Sequence, residues 1–168
     1  MSRFAWLLVV CLVAARVPCA FTMAVDADET QHLHVVWNWS EGRLAYRDFA
    51  DNHPPLFHAL CVPVFDACGE TGRTLISMRL AMIPLYVLTL FAAIFIARGV
   101  LRRDLVPWAA ACVAAMPTAW RCSLEFRADD LWSAACVAGV AVLMGGRFSV
   151  QRAVVAGLIF GFAAGVSL

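Results

Sequence analysis

Residues 74–97, TLISMRLAMIPLYVLTLFAAIFIA, carry the reading that decides the fold. The run holds one charged side chain, Arg79 near its start, and one helix breaker, Pro84. About 20 consecutive apolar residues suffice to cross the hydrocarbon core of a bilayer, so this stretch is expected to be a membrane helix. A second long apolar run, 4–25, is interrupted by Arg16 and Pro18, and three shorter ones follow at 105–120, 131–146 and 153–168. They alternate with charged connectors, as in a chain that crosses a membrane repeatedly. The expected fold class is therefore all-α, with four or five membrane spans.

Composition agrees. The chain is 62% hydrophobic and 15% charged, against about half and about a quarter in soluble domains. Its mean hydropathy is +0.78. A net charge of +1 and the absence of any basic run exclude a nucleic-acid partner. All thirteen basic residues are arginine, which with the alanine richness points to a GC-rich bacterial genome. Most of the seven cysteines lie in apolar runs, where they behave as small hydrophobes. Cys61 and Cys68 share one connector, but an odd total argues against a disulfide framework. The first apolar run has features of a signal peptide, with Met-Ser-Arg before it and Val17-Pro-Cys-Ala20 near its end. Arg16 breaks that core, and the apolar remainder favours an uncleaved helix.

Arginine density sets the expected orientation. The connector 98–104 holds Arg98, Arg102 and Arg103, and 147–152 holds Arg147 and Arg152. Short arginine-rich connectors stay in the cytoplasm. The loops 26–73 and 121–130 then face outward and contain eleven of the twelve acids, Asp104 being the exception.

Loop 26–73 opens with an amphipathic helix. Asp26 with Glu29 forms a capping-box pattern and Gly42 is a natural stop. Leu33, Val36, Trp37 and Ser40 recur at helical spacing, and Trp37 and Trp39 suit the membrane–water boundary. Asp28 and Glu29 fall in the first turn, where the helix dipole favours ionised carboxylates. Asp28 and His32 stand at i and i+4, a spacing for a metal or for a local pair. Further on, Pro54-Pro55 forbids helix at His53 and predicts a rigid turn before the next span, with His53 and Arg47 held near the membrane. The Asn38-Trp-Ser40 glycosylation pattern is set aside because it falls within the helix. In the second loop, Arg127 precedes Asp129 and Asp130. The reading there is a structural ion pair or a site facing the first loop. The apolar end at Leu168, with no polar tail, reads as the front part of something longer.

Four pieces in order carry a resemblance: Asp28-Glu29 after the first span, Tyr46-Arg-Asp-Phe49, the Pro54-Pro-Leu56 turn, and Arg127-x-Asp129-Asp130. In this respect the chain resembles the polyprenyl-phosphate-sugar-dependent glycosyltransferases of the GT-C type, and more narrowly the family 39-like group of protein O-mannosyltransferases and aminoarabinose transferases. It would be the N-terminal part of such an enzyme. The resemblance implies Asp28 as the general base, with Glu29 as second member of the pair. Asp129 or Asp130 would be the second-loop acid, the choice between them open. Aminoarabinose transferase-like members carry a lysine before the Pro-Pro turn, where His53 stands here. His53 or Arg47 would then meet the donor phosphate.

The implied reaction is inverting transfer of a sugar from a polyprenyl-phosphate donor to a lipid, protein or glycan acceptor at the outer face of a bacterial inner membrane. Phosphate leaves without a strong acid, so a base near the acceptor and cations near the phosphate suffice. No soluble cofactor motif occurs, no metal ligand set is assigned, and divalent-metal dependence is left open. The alternative is a truncated, non-catalytic membrane protein that binds lipid phosphate or a partner. A transporter is disfavoured because the acids sit in loops rather than mid-span.

Overall fold

A computed structural model describes residues 2–147 and 149–167, which are helical apart from the connector 41–55, with its one isolated bridge between Ala45 and Phe49, and shorter turns. The helices are α1 (Ser2–Ala14), α2 (Arg16–Thr22), α3 (Ala27–Ser40), α4 (Leu56–Cys68), α5 (Thr74–Val100), α6 (Val106–Ala115), α7 (Pro117–Cys122), α8 (Ala128–Met144) and α9 (Val150–Val166).

Among the described residues, two helical stretches are long and apolar enough to cross a membrane. One is Ser2–Thr22, which joins α1 to α2 across a turn at Ala15; the other is α5. The other three apolar runs form shorter helices, none of them long enough by the same measure. The run 105–120 breaks at Met116, whose extended backbone (φ −60°, ψ 122°) precedes Pro117 and separates α6 from α7. A residue before proline is driven out of the helical region, which accounts for the break. α8 begins at Ala128, three residues ahead of the apolar run, so that Asp129 and Asp130 occupy its first turn.

The long α5 is the spine. Its N-terminal half packs with α3, α4 and the segment before α8 around Val36, Phe57, Phe65, Met78, Met82 and Phe126. Its C-terminal half packs with α1 and α6 around Val9, Tyr86, Leu90, Ile94, Val106 and Ala110. α8 lies between α5 and α9. Gly139 lets the Phe160 ring approach where a Cβ would stand only 2.8 Å from it.

The connector 26–73 differs from expectation in two ways. It contains a second helix, α4, beginning directly after Pro54-Pro55. Proline is tolerated at a helix start because the first amides need no intrahelical partner, so the turn that ends one segment also launches the next. In addition, one face of α3 is packed against the rest of the chain. It buries Glu29, His32, Val35, Val36 and Asn38 and packs against α4. Cys61 and Cys68 both lie on α4 and both are free thiols. Seven residues of helix separate them by about 10 Å, beyond disulfide reach.

The end of α3 follows local chemistry. The capping box is formed, and Gly42 takes φ +76° just past the last turn. A side chain is disfavoured in that left-handed conformation by about 1–2 kcal/mol. Gly42→Ala is expected to destabilise the protein by about 1 kcal/mol, read as a lowered midpoint of unfolding. An unchanged midpoint would show that the turn relaxes freely.

Candidate functional site

Glu29 stands at the junction of four segments. Its side chain closes the capping box by accepting from the Asp26 N–H at 3.1 Å. The carboxylate also accepts from Arg79 Nε at 2.7 Å, from Arg79 Nη2, and from the Phe126 N–H at 2.8 Å. Arg79 further donates to the carbonyls of Ala20, Met23 and Ala24 at 3.0–3.1 Å, closing the end of α2. Glu29 is fully buried. Burial opposes its charge, but the hydrogen bonds from Arg79, Phe126 and Asp26 win, and its pKa lies below the ordinary carboxylate value. With both oxygens occupied, Glu29 has no lone pair turned to a substrate. The resemblance grouped it with the catalytic acids; here its carboxylate is buried and engaged on both oxygens.

Asp28, its neighbour, turns the other way and is about half exposed. Its carboxylate lies 2.9 Å from Arg127 Nη2. The same guanidinium meets Asp129 at 3.0 Å and Glu125 at 3.3 Å. Arg121 makes a parallel link, 2.8 Å from Glu125 and 3.2 Å from Asp26. The two acidic loops, about a hundred residues apart in sequence, therefore meet at one patch that holds Asp26, Asp28, Glu125 and Asp129 around two arginines.

Asp130, the next residue of the same helical turn, points into the interior. It is buried, and its Oδ2 has no hydrogen-bond partner among the described residues. Its surroundings are interior ones. Nearby Arg16 is buried, donates to Ser123 Oγ at 2.8 Å, and stacks over Tyr86 with its guanidinium carbon 3.7 Å from the ring centre. Of the two second-loop acids, Asp129 is the one beside Asp28.

The candidate phosphate cations are differently placed. Arg47 is exposed, and its guanidinium pairs with adjacent Asp48 at 2.8 Å. His53 is partly buried and lies 3.4 Å from Asp51, its ring 4.6 Å from that of His32. His53 thus lies one α3 turn from Asp28, whereas Arg47 is held by its own loop.

A buried imidazole array was not foreseen. His32 Nδ1 lies 2.8 Å from His58 Nε2, and His58 Nδ1 lies 3.4 Å from Asp51 Oδ2. The side chains of His58 and Asp51 are fully buried. Burial lowers the pKa of His32 to about 3 and that of His58 to about 4, with neighbouring imidazoles adding to the depression and Asp51 opposing it at His58. Both are neutral at pH 7. His32 thus pairs with His58 rather than with Asp28, its partner at i−4. The pattern Asp51-x-His53-x4-His58 was visible in the sequence, but only the start of α4 at Leu56 turns His58 inward. Among the described residues, no group of three or more His, Cys, Asp or Glu side chains is arranged to hold a metal ion.

No protein-family model matches this chain, and neither a curated protein nor a solved structure is significantly similar to it.

Proposed function

We propose that this chain is the N-terminal membrane portion of an inverting glycosyltransferase that uses a polyprenyl-phosphate sugar. The observation that carries the reading is the meeting of Asp28 with Arg127 and Asp129. Elements that are separate in sequence, and that resemble the family's functional acids, occupy one patch. Asp28 is half exposed there and serves as the acceptor-side base. Arg127 holds Asp28 and Asp129 in register, and His53 stands nearest as the cation for the departing phosphate. The acceptor hydroxyl loses its proton to Asp28 as its oxygen attacks the anomeric carbon. The bond to phosphate breaks with the electron pair on the phosphate oxygen.

The membrane setting rests on four or five spans. Ser2–Thr22 and α5 are long enough on their own, with α6–α7, α8 and α9 completing the set as short crossings that draw the bilayer thinner around them. Large apolar side chains on these helices point outward: Phe4, Leu7, Phe91 and Leu158 are each more than 60% exposed. Large apolar side chains exposed on three separate helices suit a lipid surrounding. Orientation follows the arginine-rich connectors, with the acidic patch outside a bacterial inner membrane.

A second reading, a non-catalytic membrane protein that binds lipid phosphate or a partner, draws support from one observation. Both candidate cations are engaged within their own loop, Arg47 with Asp48 and His53 with Asp51.

The discriminating experiment is transfer of labelled sugar from polyprenyl-phosphate donors in membranes containing the protein. Transfer is expected to fall to background in Asp28→Asn, while Asp66→Asn, remote on α4, leaves it unchanged. Full turnover in Asp28→Asn would remove Asp28 as base. Donor binding without transfer by the unmodified chain would favour the second reading.

A further inference from the structure

The end of the molecule opposite the acidic patch carries a second feature. Here α1 begins, α5 ends and α6 begins. A cavity of about 520 Å³ opens between Ser2, Trp6, Arg98, Arg103, Val106 and Pro107. Arg98 and Arg103 are exposed and make no ion pair among the described residues, whereas Arg102 between them is engaged by Asp104 at 3.2 Å. The cavity thus presents two unneutralised guanidinium groups beside an indole and a hydroxyl, with no acid among its lining residues.

Trp6 also lines a second space. A groove of about 410 Å³ runs along α1 and α5 past Val9, Val10, Val13, Leu90, Phe91 and Ile94. Every residue that lines it is apolar. From Trp6 to Ala14 it follows two turns of α1, about 12 Å. Val10 and Phe91 are 62% and 65% exposed, so the groove is open along its side. A basic head and an apolar channel therefore meet at one tryptophan, the residue type that prefers the boundary between headgroup and hydrocarbon.

We propose that this slot binds one anionic phospholipid from the leaflet at the arginine-rich end of the protein, with its phosphate between Arg98 and Arg103 and an acyl chain along the α1–α5 groove. Each part of the site selects against simpler occupants. A free phosphate would leave the groove empty. A zwitterionic lipid brings its own cation to a site that already holds two. Basic pockets between membrane helices take acidic headgroups for this reason, and each arginine near an anionic surface contributes roughly fivefold in affinity. The inference rests on the membrane reading above but not on glycosyl transfer, since the slot lies at the other end of the bundle from Asp28.

The test uses the full chain, purified in mild detergent with an equimolar mixture of phosphatidylglycerol and phosphatidylcholine. Retained lipid is counted by native mass spectrometry. One phosphatidylglycerol is expected per chain, and the Arg98→Gln, Arg103→Gln double variant should retain it about 30-fold more weakly. Arg102→Gln, outside the cavity, should bind as the unmodified protein does and serves as the folding control. Val10→Trp, which fills the groove from its open side, should weaken retention while leaving thermal unfolding unchanged.

Equal retention of the two lipids, or undiminished binding by the double variant, would overturn the proposal. So would displacement of phosphatidylglycerol by an equal amount of polyprenyl phosphate, which would make the slot a carrier-lipid site. A protein that stays in solution without detergent would overturn the membrane reading itself, an outcome distinct from a membrane-bound protein without lipid preference.

Discussion

Glu29→Ala is expected to lower stability by about 3–5 kcal/mol, the range for removing one partner of a buried ion pair. The loss comes from three places. Arg79 keeps its charge at 2% exposure and retains only carbonyl partners. The Phe126 amide is left buried without an acceptor. The Asp26 amide loses its half of the capping box, which separately contributes about 1 kcal/mol. Arg79→Ala should cost a similar amount, because it strands the Glu29 carboxylate and uncovers the carbonyls at the end of α2. The double variant Glu29→Gln, Arg79→Met should be less damaging than the sum of its parts, since neither residue leaves a buried charge behind. Denaturant unfolding in detergent reads all three. A midpoint for Glu29→Ala within error of the unmodified protein would show that the junction is held by packing alone.

The buried imidazoles predict a steep loss of stability in mild acid. In the unfolded chain each histidine takes up a proton near pH 6.5. In the folded protein His32 resists until about pH 3 and His58 until about pH 4. Below pH 6.5 the unfolded state therefore binds more protons, and stability falls as pH falls until the folded pKa values are reached. Each pH unit costs about 1.4 kcal/mol per histidine, so the pair accounts for a loss on the order of a few kcal/mol between pH 6.5 and pH 4.5. Burial sets the sign, and the groups around the pair adjust its size. His53 and Arg127 oppose a further positive charge, and only Asp51 favours it. Thermal unfolding from pH 7.5 to pH 4.5 should show a marked fall in midpoint, and His32→Phe with His58→Leu should flatten the curve. A parallel slope in that variant would assign the acid sensitivity to the carboxylates instead.

Much of the architecture was legible from single stretches of sequence. An apolar run such as 74–97 dictates a buried or lipid-facing helix through its composition, and α5 extends over it and a few residues beyond. Capping at Asp26 and Glu29 and the stop at Gly42 are contacts within a few residues, so the pattern alone specifies α3. Patterns spread across a boundary were harder to read. Pro54-Pro55 signals a turn, but whether helix follows depends on what Phe57, Cys61 and Phe65 pack against, and these residues join the core shared by α3 and α5.

The division of labour among the acids was decided at the tertiary level. By sequence, Asp28 and Glu29 are adjacent and equivalent, as are Asp129 and Asp130. One residue of helix turns a side chain by about 100°, which sends Glu29 inward to Arg79 and leaves Asp28 facing Arg127. The same rotation puts Asp129 beside Asp28 and Asp130 into the interior near Arg16. The sequence by itself determined the helical class, the apolar runs and the caps of α3, because those depend on neighbours along the chain. Which acids meet, which histidines become neutral and where two arginines border a cavity depend on how α1, α3, α5, α6 and α8 pack, since charges interact across space and burial sets their strength.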